Sequence, residues 1–340
     1  MVVEAGGAVR RIVTVGVAWA LLAACGASGL AEPSAPGGRG RLKIATTVSP
    51  ITSLAATIAG DRADITGIVP EGTDSHTFEP KPSVAGLLST SDVLYMNGLG
   101  LEAPTRALAE QNLRAGAEIV ELGSAVLPEP AYVYDFSFPR EEGKPNPHLW
   151  TDPPLARRYA EVLKDDLSKR DPANADYYQR NYEQFAQLVD QLDSAMRQAF
   201  STIPAANRKL LTYHDSFAYF AKDYGFEVIG AIQPANFEEP TPQEVAKLIE
   251  QVRREHVPAI FGSEVFPSPV LEQIGKETGV RYVDVLRDDD LPGDPGDPEH
   301  SWLGLMRFDY ATITEALGGD ASAVRALEIP SLPDTARYAQ

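Results

Sequence analysis

The sequence predicts an α/β protein of two lobes, each built around a parallel sheet, joined by one long rigid helix. Three observations carry this. Between residue 41 and about 122, and again after 204, short β-branched runs alternate with amphipathic segments, the pattern of βαβ units with parallel strands. Between those stretches, Asp171-Pro172 opens an apolar periodicity of three and four that meets no glycine or proline until Pro204. The length, 340 residues, suffices for two domains.

The first lobe, 41–170, opens on the strand LKIATTV and the helix-like SPITSLAATIAG. ADITGIVP, SDVLYMNG and AEIVELG supply its second, third and fourth strands. Residues 123–150 lose periodicity, gain proline, glycine and aromatic residues, and read as a long loop. DPPLARRYAEVLKDDLSKR closes the lobe as a helix. The linking helix covers 171–203, with Tyr178, Tyr182, Phe185, Leu188, Leu192, Met196 and Phe200 as its apolar stripe. At roughly 1.5 Å per residue it exceeds ~40 Å, a strut between two sheets. The second lobe, 204–325, takes RKLLTY, FEVIGAI, VPAIFG and VRYVDVL as strands. DSFAYFAKDYG, TPQEVAKLIEQVRREH and SPVLEQIGKETG are its helices, with a last one near 301–317 and a tail over 326–340.

The N-terminus has a different composition. Arg10-Arg11 precede an apolar run of 13 residues, Ile12 to Ala24, too short to span a bilayer comfortably but suited to a signal-peptide core. It ends in Leu22-Ala23-Ala24-Cys25, which resembles a bacterial lipobox. In that reading residues 1–24 are a signal peptide, Cys25 receives lipid, and 25–40 form a flexible Gly/Ala/Pro/Ser-rich tether. The alternative is an incidental cysteine in a leader cut elsewhere. Lipidation places the protein across the cytoplasmic membrane, anchored to its outer face as a periplasmic or cell-surface lipoprotein. Cys25 is the only cysteine, so the mature chain has neither an internal disulfide nor a thiolate metal ligand. A formal charge of −18 argues against nucleic-acid partners, which need a basic surface.

Ligands of open parallel sheets bind beyond the carboxyl ends of the strands. His76 in VPEGTDSHTFEP, His214 in LLTYHDSF and Asp284 near the end of RYVDVL all fall there. His148 sits in PNPHLWTDP, where two prolines stiffen the loop around one imidazole. Three imidazoles and a carboxylate form an N₃O set, which suits tetrahedral Zn²⁺; Mn²⁺ favours more oxygens. Asp215 and Glu79 are carboxylates placed to balance the charge. Asp288 is the alternative to Asp284. Otherwise Asp288, Asp289 and Asp290 read as a run facing water, His256 as a structural helix C-terminus, and His300 as a solvated residue of an acidic loop.

GTDSHTFEPKPSV, NPHLWTDP, TYHDSFAYFAKDYG and GVRYVDVL with LGLMRFDYATITEAL resemble, in order and over about 41–320, the metal-binding lipoproteins of bacterial zinc and manganese ABC importers, the cluster A-I solute-binding proteins. The resemblance implies two Rossmann-like lobes on a rigid helix with one transition-metal ion between them. It also implies His76, His148, His214 and Asp284 as ligands, and a monomer that hands Zn²⁺ to a membrane permease without chemical transformation. Manganese-specific members often carry glutamate at the third position, so His214 favours zinc, with Mn²⁺ the alternative cargo. Ser75 and Phe78 depart from the proline and tyrosine frequent around the first histidine. Residues 123–147 hold no histidine, so the loop-assisted capture of many zinc members is not expected. The rival classes are a surface adhesin and a zinc hydrolase with Asp215 or Glu264 as general base. No HExxH or GxSxG supports the hydrolase.

Overall fold

A computed structural model describes residues 40–233, 240–263, 268–331 and 335–338. The chain runs β1 (Leu42–Thr46), α1 (Ser49–Ala59), β2 (Ala63–Gly67), α2 (Val84–Leu88), β3 (Val93–Met96), α3 (Ala103–Asn112), β4 (Glu118–Glu121) and α4 (Leu122–Val126). After a loop of short 3₁₀ turns come α5 (Pro153–Arg170) and the long α6 (Ala175–Ser201). The second half contributes β5 (Lys209–Thr212), α7 (Ala218–Tyr224), β6 (Glu227–Ala231), α8 (Pro242–Glu255), β7 (Ala259–Ser263), α9 (Pro269–Thr278) and β8 (Arg281–Leu286). It closes with α10 (Trp302–Ala316), α11 (Ser322–Arg325) and β9 (Arg337–Tyr338).

Two parallel sheets result, in the orders β4-β3-β1-β2-β9 and β6-β5-β7-β8. Strands covered on both faces read as unbroken apolar runs, and β3 (VLYM) is buried throughout. The helices start where local chemistry supplies a cap. Asp152 accepts from Leu155 N–H ahead of Pro153, and Thr241 forms a capping box with Glu244. The predicted tail is in part structural: Arg337 and Tyr338 pair with Thr66 and Gly67 and add an edge strand to the first sheet.

The strut is less isolated than the sequence suggests. α6 spans about 40 Å but packs against α1, α5, α10 and α11. One apolar core runs from Ile44 and Val93 of the first sheet, through Phe185, Leu192 and Phe200 of α6, to Leu210 and Phe261 of the second. The two sheets therefore share an interior instead of standing apart on a rod.

Candidate metal centre

Each histidine of the trio is held by its own turn. His76 lies in the loop after β2, where its N–H donates to Asp74 Oδ1 at 2.9 Å. Gly72, at a positive φ of 72°, donates its N–H to Asp290 Oδ2 at 2.7 Å, and the Ser75 hydroxyl donates to the Asp289 carboxylate. The His76 loop is thus tied to the segment that follows β8. His148 is fully buried beyond Asn146. The Asn146 Nδ2 donates to Asp135 Oδ2 at 2.8 Å and to the Asp215 carbonyl at 2.7 Å, which leaves Oδ1 to accept from His148 N–H (3.1 Å) and Nδ1–H (2.8 Å). His214 follows β5, and its Nδ1–H donates to Gln233 Oε1 at 2.7 Å. The Gln233 amide in turn reaches Asp74 Oδ2 at 3.3 Å.

These partners fix the tautomers. With Nδ1 protonated against an amide oxygen, His148 and His214 present bare Nε2 lone pairs. The three Nε2 atoms form a small triangle: 3.1 Å from His76 to His148, 3.0 Å from His76 to His214, and 2.9 Å from His214 to His148. Lone pairs converging in a buried place repel one another unless a cation lies among them. Burial first, then the neighbouring rings, push His76 and His148 well below the usual imidazole range, and the Lys144 charge adds to this at His76. Aromatic rings flank the site: Phe138 lies 5.5 Å from the His76 ring and Trp150 5.0 Å from that of His148. The donor set can coordinate a transition-metal ion, with a carboxylate in reach, since Asp288 Oδ2 lies 3.9 Å from His214 Nε2.

Three expectations are corrected. Asp284 is not brought to the trio. It lies exposed along β8, two residues short of the strand's end, and Asp288 beyond that end approaches His214 instead. The acidic run does not face water: Asp288 and Asp290 are 6% and 7% exposed, and Asp289 is half-buried against Ser75. Burial, with its acidic neighbours, raises Asp289 well above the carboxylate range and Asp290 to about 6. His300 is not solvated either. It is buried, with Nδ1 3.3 Å from the Gly293 carbonyl, Nε2 3.4 Å from Glu71 and its ring edge-on to Tyr338. His256 is the exposed C-cap of α8. Asp215 is buried beside Asp135, and burial and that neighbour push its carboxyl well above the usual carboxylate range. Glu264 and Cys25 lie outside the described residues. Sequence reasoning missed Asn146 and Gln233, whose amide oxygens aim the rings of His148 and His214. Asn146, two positions before His148, lies inside a visible motif, as does Asp74, two positions before His76, whereas Gln233 lies in none.

Residues 44–316 match the family described as zinc-uptake complex component A, periplasmic. The iron-binding protein YfeA of Yersinia pestis is 32% identical over 279 residues, which cover 82% of this chain and 87% of that one. The manganese-binding lipoprotein MntA of Halalkalibacterium halodurans is 30% identical over 277 residues, 81% and 88% of the respective chains. Among solved structures, the periplasmic zinc-binding protein TroA of Treponema pallidum superposes with a TM-score of 0.74 at 26% identity, covering 82% of this chain and 99% of that one.

Proposed function

The chain belongs to the zinc-uptake complex component A family of periplasmic metal-binding proteins, which serve ABC importers as solute-binding components and are not enzymes, and we propose that its cargo is Zn²⁺, bound by His76, His148, His214 and Asp288. The observation that carries this is the triangle of Nε2 atoms, with two of its rings, His148 and His214, held by amide oxygens so that their Nε2 lone pairs face the centre. Three neutral nitrogens and one carboxylate make a four-donor site suited to zinc, whereas manganese takes an oxygen-richer, higher-coordinate one. The relatives and neighbours are named for iron, manganese and zinc, so the preference for zinc is supported by the donor set of this chain. In this reading Cys25 carries the lipid that holds a monomeric receptor outside the cytoplasmic membrane, where it delivers its ion to the permease. Among the described residues no helix is long and apolar enough to cross a membrane.

Cobalt substitution tests the reading. Co²⁺ in the metal-free protein should give the intense visible bands of four-coordination, and Zn²⁺ should displace it stoichiometrically while Mn²⁺ does not. Weak six-coordinate bands, displaced by Mn²⁺ as readily as by Zn²⁺, would favour the manganese alternative.

The pH dependence has a definite sign. Cations and protons compete for the same nitrogens. The depressed affinity of His76 and His148 for protons means fewer competitors at a given pH. Zinc affinity should therefore hold through pH 6.5, where free imidazole titrates, and fall only below it, by about tenfold per pH unit for each ring that protonates. Titrations between pH 7.5 and 5 check this, and an onset above 6.5 contradicts it.

A further inference from the structure

The shared apolar core restrains lobe opening, so an ion bound at the triangle must come and go through a local gap. His148 is fully buried and His214 is 6% exposed, while His76 is only half-buried. His76 also lines a cavity of about 220 Å³, together with Leu99, Gly100, Phe138, Glu142 and Lys144. One wall of that cavity is rigid. Gly98, Leu99 and Gly100 all have positive φ, and the buried Glu102 carboxylate clamps Asn97 N–H at 2.8 Å and Gly98 N–H at 3.0 Å. The other wall is the exposed segment around 140–144, a single 3₁₀ turn ended by Gly143. Lys144 crosses between them, its Cγ and Cδ lying 3.5 Å from where a Cβ on Gly100 would stand.

We propose that this cavity is the passage for the cation, with Lys144 as a charged gate across its mouth and Glu142 as the first carboxylate an incoming ion meets. The inference rests on the metal-receptor reading. A fixed positive charge at the mouth raises the barrier for a dication crossing it, and a carboxylate there lowers it. Neither side chain belongs to the donor set, so both should act on rates more than on affinity.

Stopped-flow mixing of the metal-free protein with Zn²⁺, read through the fluorescence of Trp150 beside His148, gives the association rate. Lys144→Gln should raise it roughly three- to tenfold at low ionic strength, and Glu142→Gln should lower it by a similar factor. Both effects should shrink in salt, because a single exposed charge is screened within about 10 Å at 0.1 M. Dissociation into excess chelator should also quicken in Lys144→Gln. Wild-type rates in both variants, or changes of the same sign, overturn the passage while leaving the receptor standing. A wild-type protein that does not bind Zn²⁺ overturns both.

Discussion

Replacing His148 by alanine should abolish useful zinc binding while leaving the fold in place. His148 is fully buried and lies within 3.1 Å of both other Nε2 atoms, so its loss removes a donor that nothing nearby replaces. The two remaining imidazoles and one carboxylate cannot close a tetrahedral site. The appropriate comparison is Gln233→Leu, which keeps every donor but frees His214 Nδ1. A change of that kind costs about 10–100-fold in affinity, and His148→Ala should cost well beyond it. The readout is melting temperature with and without metal. Zinc at a thousandfold excess over Kd stabilises the wild type by about 4 kcal/mol through mass action. His148→Ala should show no zinc-dependent shift, and Gln233→Leu a reduced one. His148→Ala that still melts at the wild-type zinc-loaded temperature would remove the imidazole triangle as the binding site.

What could be read beforehand, and what could not, divides along the distance over which each decision is made. The alternation of strands and helices is local, and it located both sheets, α6 and the strand ends on which His76 and His214 sit. The carboxylate nearest the trio was obscured inside β8, not at its end, which VRYVDVL already places at Leu286. The strand's pairing with β7 shifts register, Phe261 opposite Val283 but Ser263 opposite Leu286, so β8 carries an extra residue there. RYVDVL does not announce that irregularity, and it leaves Asp284 on the outside and carries the chain on to Asp288. The acidic run looked solvated because its partners, Gly72 and Ser75, come from a loop more than 200 residues earlier in sequence. α3 buries only Thr105 and Ala109, too faint a stripe to stand out, and the two-residue β9 exists only because β2 offers it an edge.

The same core that hid behind the strut makes the largest stability prediction. Trp302, the first residue of α10, is fully buried. Its N–H donates to Ser53 Oγ of α1 at 2.8 Å, its indole N–H to the Trp150 carbonyl at 2.9 Å, and its ring meets Phe185 of α6 edge-on at 5.4 Å. Trp150 then donates its own indole N–H to the Asp288 carbonyl at 2.9 Å. Trp302 therefore joins α10 and the strut to the first sheet's helix and, through Trp150, to the main chain of Asp288, the residue whose carboxylate lies beside His214. Trp302→Ala should cost about 3–5 kcal/mol, the usual range for emptying a large aromatic site, which is a large share of the roughly 5–15 kcal/mol that holds a protein folded. In urea the midpoint should fall with the slope unchanged, and far-UV circular dichroism and tryptophan fluorescence should still trace one transition, because both sheets draw on the same interior. Zinc affinity should drop less than in His148→Ala, since no donor is lost. Two separated transitions in the variant would mean that the lobes fold on independent cores, and the restraint on lobe opening would go with them.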